Sequence, residues 1–266
     1  MRTRIITALA LAAVLLGVLL LGPTWLSRAL VALFVAAGAW EWSAFLSAAP
    51  HAARLGFVVL VALLAMAARV WLADAAAFTL LMEVSVAWWL VALAWLLLWP
   101  QRANSWAVAA AGLFTLVPSG VALTRMLEVW PRGAQWALFV MALAFAADTG
   151  AYFVGRFFGR VKLAPQISPG KTWEGVFGGM LLASLIAVAA GCWFALPLDR
   201  FVPLCLAGAA FSVVGDLTES MFKRASGMKD SGRLFPGHGG VLDRIDSVCA
   251  CTPVICAGLM WMGVAA

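Results

Sequence analysis

One predicted helix in the second half of the chain carries a stripe of polar side chains within an apolar run. Ser212, Asp216, Glu219 and Lys223 follow the spacing i, i+4, i+7 and i+11, so they share one helix face. Two acids in a membrane helix are costly unless something compensates their charge. A divalent cation is one such compensation, because Mg²⁺ takes oxygen ligands from one or two carboxylates together with substrate phosphates. The stripe therefore predicts a site for metal-assisted chemistry.

The densest polar run of the chain follows this stripe, over residues 225–247. Its glycines allow a ligand to approach the backbone closely beside His238, although a lone histidine in such a loop can also be structural. Asp243 and Asp246 are three residues apart at the start of the next predicted helix, so they project from one face. Together with Asp216 they could converge on a pair of metal ions.

Basic residues are interspersed with these acids. Five of them could neutralise polyphosphate oxygens: Lys223, Arg224, Lys229, Arg233 and Arg244. Metal-binding carboxylates beside such cations form the layout that phosphoryl or nucleotidyl transfer requires, because catalysis there consists mainly of positioning and charge stabilisation.

Two upstream segments add candidate ligands. Asp148 and Tyr152 lie one helical turn apart near the end of a predicted helix, where Asp148 either contacts substrate or caps the helix beside an arginine. Lys171 and Glu174 lie at the start of the next predicted helix, where free N–H groups and the helix dipole favour a phosphate. Lys171 could alternatively hold a lipid headgroup. Gly170-Lys171-Thr172 resembles the last three residues of a Walker motif. The first glycine of that motif would lie at position 165, which is proline, so the motif is excluded.

Composition indicates that membrane helices position these segments. Of the 266 residues, 65% are apolar and 11% are charged, whereas about a quarter of the residues of soluble domains are charged. Since about 20 apolar residues span a bilayer, we predict an all-α, polytopic integral membrane protein with about nine transmembrane helices. The predicted helices cover residues 5–22, 26–47, 55–73, 77–99, 106–127, 134–156, 174–195, 201–223 and 244–264.

The two parts of the chain differ in their acids. Eight of the twelve acidic residues fall between Asp148 and Asp246. We therefore predict hydrophobic N-terminal helices over residues 1–130 and a catalytic membrane domain over residues 131–266. Glu41 and Glu83 lie inside predicted first-half spans, where a structural polar contact is the preferred interpretation.

Basic residues also predict the orientation. Most of them fall on one set of alternate connections, so the positive-inside rule places the N-terminus inside and the C-terminus outside. The polar loops 157–173 and 224–243 then face the cytoplasm. The net charge of +6 is scattered through short loops without a basic patch or stripe, so nucleic acid is not an expected partner.

The polar residues resemble the motif of phosphatidate cytidylyltransferases, also called CDP-diacylglycerol synthases. The similar run is Ser220-x-x-Lys223-Arg224-x4-Lys229-Asp230-x-Gly232-x2-Phe235-Pro236-x-His238-Gly239-Gly240-x-Leu242-Asp243-Arg244-Ile245-Asp246. Segments 148–156 and 167–175 resemble further pieces of the same family. The resemblance therefore covers roughly residues 148–247.

This resemblance implies that CTP and phosphatidic acid give CDP-diacylglycerol and pyrophosphate for phospholipid biosynthesis, at the cytoplasmic face of a bacterial inner membrane. It also implies a Mg²⁺ cofactor and a second metal site for K⁺. The implied partners are membrane lipids and a second copy of the chain, in a homodimer. By position, Asp216, Asp243 and Asp246 bind metal and form the catalytic set with Lys223. The implied substrate-binding residues are Asp148, Lys171, Glu174, Glu219, Arg224, Lys229, Asp230, His238 and Arg244.

The residues alone leave two other classes of function open. A CTP-dependent lipid kinase, or another CDP-lipid synthase, would use the same metal and nucleotide apparatus with a different acceptor. An ion-coupled transporter would also place carboxylates in membrane helices, but near the midplane. Here the acids cluster near one surface, beside a glycine-rich basic loop, which disfavours transport.

Overall fold

The apolar runs fold as long helices joined by short connections. The computed structural model describes residues 13–46, 50–71, 74–100, 104–232 and 239–264. Residues 13–21 belong to a first helix, α1, whose predicted range of 5–22 lies partly outside the described residues. The other helices are α2 (Thr24–Trp42), α3 (His51–Trp71), α4 (Ala75–Leu98), α5 (Ser105–Val129), α6 (Gly133–Phe158), α7 (Trp173–Phe194), α8 (Leu198–Ala225) and α9 (Leu242–Trp261).

Helices α3–α9 have the character of membrane spans. Among the described residues, these seven are long and apolar enough to cross a bilayer. Their outer faces expose large apolar side chains, such as those of Leu97 and Phe177, as contact with lipid requires. The protein is an all-α integral membrane protein, as predicted, and the predicted ends of α4–α9 lie within three residues of the observed ones. The count of nine spans, the N-in orientation and the division at residue 130 stay predictions.

The connection between α6 and α7 contains a β-hairpin that the sequence analysis treated as a loop. Strand β1 (Lys162–Ala164) pairs antiparallel with β2 (Ser168–Thr172), and Lys162 lies opposite Thr172. The hydroxyl of Thr172 then accepts a hydrogen bond from the backbone N–H of Gly175 over 3.2 Å, which caps α7. The hairpin thus fixes Lys171 at the entrance of α7.

Glycines bring the helices of the second half close together. A Cβ atom on Gly150 of α6 would lie 2.5 Å from the carbonyl oxygen of Gly178 on α7. A Cβ atom on Gly215 of α8 would lie 2.6 Å from the carbonyl oxygen of Asp246 on α9. Only glycine permits such backbone contact, so these positions set the spacing of the helices that carry the acids.

The first-half helices pack directly on the polar end of α8. The ring of Phe222 meets the rings of Trp42 on α2 and Trp95 on α4, each at a centroid distance of 5.5 Å. The indole N–H of Trp42 donates to the carbonyl oxygen of Val108 on α5 over 2.8 Å. Because Phe222 precedes Lys223, this aromatic contact fixes the backbone that presents the lysine.

Candidate active site

Helix α8 presents the predicted stripe toward the interior of the bundle. Glu219 and Lys223 are buried and Asp216 is half-buried, so three members of the stripe share an inward face as the spacing predicted. Ser212 is also buried, but its hydroxyl donates to the carbonyl oxygen of Ala209 over 2.7 Å. Ser212 therefore satisfies its hydrogen bond within the helix.

Four acids from three helices meet at this end of the bundle, and we call Asp148, Asp216, Glu219 and Asp246 the acidic cluster. Asp246 of α9 interacts electrostatically with Asp216 and Glu219 of α8, and with Asp148 of α6. Asp148 also interacts with Asp216. Asp148 lies well inside α6 rather than at its end, so the alternative of a helix cap is wrong. Like charges that interact where water is scarce repel each other, and bound cations would offset this repulsion.

Two lysines supply part of the compensating charge. Lys171 Nζ lies 2.6 Å from Asp216 Oδ2, which ties the β-hairpin to α8. Lys223 Nζ lies 2.9 Å from Glu219 Oε2 and 2.6 Å from Asp243 Oδ1. Both lysines were predicted to contact phosphate, and the structure places both beside the acidic cluster.

Asp243 faces a different set of partners from the other two predicted metal ligands. Besides Lys223, its carboxylate accepts hydrogen bonds from the backbone N–H groups of Gly240 over 2.8 Å and Ser231 over 3.1 Å. The turn before it requires Gly239 in the left-handed region, at a φ of 81°. Asp216 and Asp246 therefore interact with each other, whereas Asp243 is linked through Lys223 to Glu219.

Glu41 of α2 is a residue of this site that the sequence reasoning did not assign to it. It is buried, and its Oε1 accepts from the N–H of Val241 over 3.0 Å. Its Oε2 accepts from the N–H of Leu242 over 2.8 Å and from the hydroxyl of Ser231 over 2.9 Å. A carboxylate from the first half thus caps α9, the helix that carries Asp243 and Asp246. Its intramembrane position was the only sequence signal, since its partners are some 200 residues away.

The remaining predicted substrate-binding residues are more exposed to solvent than the acids and lysines described above. The carboxylate of Glu174 accepts from the N–H groups of Arg160 and Val161 at 3.1 and 3.2 Å, so it holds the start of the hairpin segment. Arg224 donates to the carbonyl oxygens of Ile167 and Met228 at 3.3 and 3.2 Å, which joins the two polar connections.

The other predicted ligands divide into exposed and undescribed residues. Lys229, Asp230 and Arg244 are exposed, and Arg244 interacts electrostatically with Asp148. Arg233 and His238 lie outside the described residues.

The donor set of the acidic cluster suits a hard cation. Glu219 Oε1 is buried beside the carboxyl group of Asp246, and no N–H or hydroxyl group of the described residues donates to it. Among the described residues, no three histidine, cysteine, aspartate or glutamate side chains are placed so that they could hold a metal ion together. Mg²⁺ commonly takes only one or two protein carboxylates and fills its other positions with water and substrate phosphates. These residues therefore fit a Mg²⁺ ion that shares its coordination with a nucleotide.

Comparisons with known proteins place the chain in a family. The model of the Cytidylyltransferase family matches residues 2–261. A phosphatidate cytidylyltransferase of Pseudomonas aeruginosa is 42% identical over 273 residues, which cover 98% of this chain and 97% of the relative. One from Haemophilus influenzae is 39% identical over 281 residues, covering 95% and 96%. One from Brucella suis is 44% identical over 154 residues, covering 55% and 54%. The resemblance drawn from residues 148–247 is confirmed and extends over nearly the whole length: the chain belongs to the cytidylyltransferase family.

Proposed function

We propose that this chain transfers a cytidylyl group from CTP to phosphatidic acid, giving CDP-diacylglycerol and pyrophosphate for phospholipid biosynthesis. The observation that carries this proposal is the acidic cluster, flanked by Lys171 and Lys223, at one end of a bundle of membrane helices. A lipid phosphate reaches such a site from the bilayer and a nucleotide reaches it from water. Family membership and two relatives aligned over nearly their full length support the same reaction.

The chemistry requires no nucleophile from the protein. An ionised monoester oxygen of phosphatidate forms a bond to the α-phosphorus of CTP. The bond from that phosphorus to the oxygen bridging the β-phosphate breaks, and pyrophosphate leaves with the electron pair. Phosphatidate is already largely ionised near neutral pH, so a strong general base is unnecessary. Lys171 and Lys223 stabilise phosphate oxygens when these replace the carboxylates that the lysines now contact.

The acids hold the metal in this proposal. Asp216 and Asp246 are assigned to Mg²⁺, with a further position in the acidic cluster for K⁺. When bound, Mg²⁺ neutralises charge that develops on the phosphate oxygens. Asp243 belongs to the predicted metal set as well, but it must release Lys223 or a backbone N–H group to bind metal. Its present contacts favour the positioning of Lys223.

The outer residues bind the substrates in the same proposal. Arg224, Lys229, Arg244, Asp230 and Glu174 border the approach from water, and His238, which lies outside the described residues, is assigned to substrate binding from its place in the sequence motif. We place the site at the cytoplasmic face of a bacterial inner membrane and expect a homodimer. Both polar connections lie at one end of the bundle, since Arg224 contacts Ile167, which supports a single catalytic face.

Isotope transfer from CTP tests the reaction and separates it from lipid phosphorylation. The purified protein is incubated with phosphatidate, Mg²⁺ and CTP labelled with ³²P at either the α- or the γ-phosphate. Cytidylyl transfer moves only the α label into the lipid fraction. Transfer of the γ label would identify a CTP-dependent lipid kinase instead, and transfer to another lipid acceptor in place of phosphatidate would identify a different CDP-lipid synthase.

A further inference from the structure

A deep apolar groove opens at the end of the bundle opposite the active site. It encloses about 640 Å³ between α2, α3 and α5, and small side chains such as those of Ala32 and Ala62 form much of its wall. Along α2 the groove runs from Trp25 to Ala36. Glu41, near the other end of α2, contacts the start of α9. The groove therefore belongs to the membrane leaflet away from the acidic cluster.

The depth of this groove matches one leaflet. Its residues extend from Trp25 to Ala36 on α2 and from Val58 to Arg69 on α3. At a rise of 1.5 Å per residue, each stretch is about 16 Å long. Half of the hydrocarbon core of a bilayer is about 15 Å thick. The apolar end thus reaches the midplane, and the end lined by charged side chains reaches the membrane surface.

The end of the groove at the membrane surface carries an excess of positive charge. Arg28 Nε and Arg69 Nη2 lie 2.8 and 2.7 Å from the same oxygen of Glu128, so two cations share one anion. Both arginine side chains stay partly accessible, at 35% and 49% exposure. Arg125 lines the groove as well, with its guanidinium 4.6 Å from the centre of the Phe78 ring. Guanidinium groups at this depth suit a phosphate, which they bind through paired N–H donors.

We propose that this groove binds an anionic phospholipid of the leaflet opposite the active site. An acyl chain fills the apolar groove and the headgroup phosphate contacts Arg28 and Arg69. Charge complementarity selects an anionic headgroup over a zwitterionic one, because Arg28 and Arg69 together retain one positive charge after Glu128 is counted. The length of the groove and its apolar wall select a lipid over a soluble anion, because a soluble anion would leave the apolar part of the groove unfilled.

Native mass spectrometry of the full chain in detergent tests this site. Phosphatidylglycerol and phosphatidylcholine with identical acyl chains are added separately, and the bound fraction of each is measured. We expect phosphatidylglycerol to bind the unaltered protein about fivefold more tightly, which corresponds to the attraction between one basic side chain and an anionic lipid. The double variant Arg28→Gln/Arg69→Gln loses that preference. Arg200→Gln, an exposed arginine at the start of α8, serves as the matched control and keeps it.

A groove-filling variant tests the acyl-chain half of the proposal while the rim stays intact. Ala32→Phe/Ala62→Phe places two rings in the groove, so the phosphatidylglycerol adduct decreases although both arginines remain. CTP turnover of every variant stays within about twofold of the unaltered protein, because these residues lie far from the acidic cluster, and this shows that each variant is folded. Equal binding of the two lipids, an unchanged preference in the arginine variant, or an unchanged adduct in the groove-filling variant overturns the proposal.

Discussion

Asp246 is the residue on which the acidic cluster depends. It is the most deeply buried of the three predicted metal ligands, and it faces acids from α6 and α8. The backbone N–H of Ser247 donates a hydrogen bond of 2.7 Å to its Oδ1, which orients the carboxylate. We expect Asp246→Asn to decrease CTP-dependent turnover about a hundredfold, because a neutral amide removes a hard anionic ligand without changing the side-chain shape. A detergent assay with phosphatidate and Mg²⁺ measures this. Asp199→Asn, at the opposite end of α8, is the control, and near-normal turnover of Asp246→Asn contradicts the metal assignment.

Glu41 acts on the site through the backbone of α9 rather than through substrate. Glutamine at this position retains one acceptor oxygen, so at least one buried donor among Ser231, Val241 and Leu242 loses its partner. Such a loss costs about 1–3 kcal/mol. We expect Glu41→Gln to lower the thermal unfolding midpoint and to decrease turnover about tenfold, since the start of α9 shifts.

The matched control for Glu41 is another acid of the first-half helices. Glu83→Gln changes an exposed residue of α4. We expect its thermal unfolding midpoint and its turnover to stay near those of the unaltered protein. A Glu41→Gln variant with unaltered turnover and unaltered melting would show that the cap on α9 does not position the catalytic residues.

At the scale of the elements, close contact between α8 and α9 aligns the acids that each helix contributes. Alanine at Gly215 would place its methyl group 2.6 Å from the Asp246 carbonyl oxygen and 2.8 Å from Ala250 Cβ, so the helices must separate. We expect Gly215→Ala to decrease turnover at least tenfold while the protein still inserts into membranes. Gly56→Ala in α3 is the control, because a Cβ atom there meets nothing within 4 Å. Equal turnover of the two variants would refute this role of the contact.

The helices were predictable from the sequence because long apolar runs have few alternatives in a bilayer. The shared face of Asp216, Glu219 and Lys223 followed from helical periodicity alone. The β-hairpin was not predictable, since residues 162–172 carry no alternating apolar pattern. Nor was the cap that Glu41 provides, because that contact joins residues some 200 positions apart. Local spacing reveals which side chains share a face, whereas pairings such as Lys223 with Asp243 depend on how helices meet.

At the scale of the molecule, both halves of the chain build the catalytic end. Trp42 and Trp95 from the first half pack on Phe222, and Glu41 caps α9. The hydroxyl of Ser226 donates to the carbonyl oxygen of Phe45 over 3.1 Å, which joins the end of α8 to the turn that follows α2. The first-half helices therefore support the backbone of the site, and truncation of residues 1–130 is expected to abolish turnover rather than release an active fragment.

The orientation of the whole bundle sets the side from which CTP arrives. Gly170, in the hairpin, is exposed, and a Cβ atom there meets nothing within 4 Å. Arg200 is exposed at the other end of the bundle. Among the described cysteines only Cys192 is exposed, so Cys192→Ala gives a background of buried thiols. On this background we expect an impermeant thiol reagent to label Arg200→Cys in spheroplasts but Gly170→Cys only after the membrane is opened. This outcome places the acidic cluster in contact with cytoplasmic CTP, and the reverse labelling pattern would invert the bundle and contradict the positive-inside prediction.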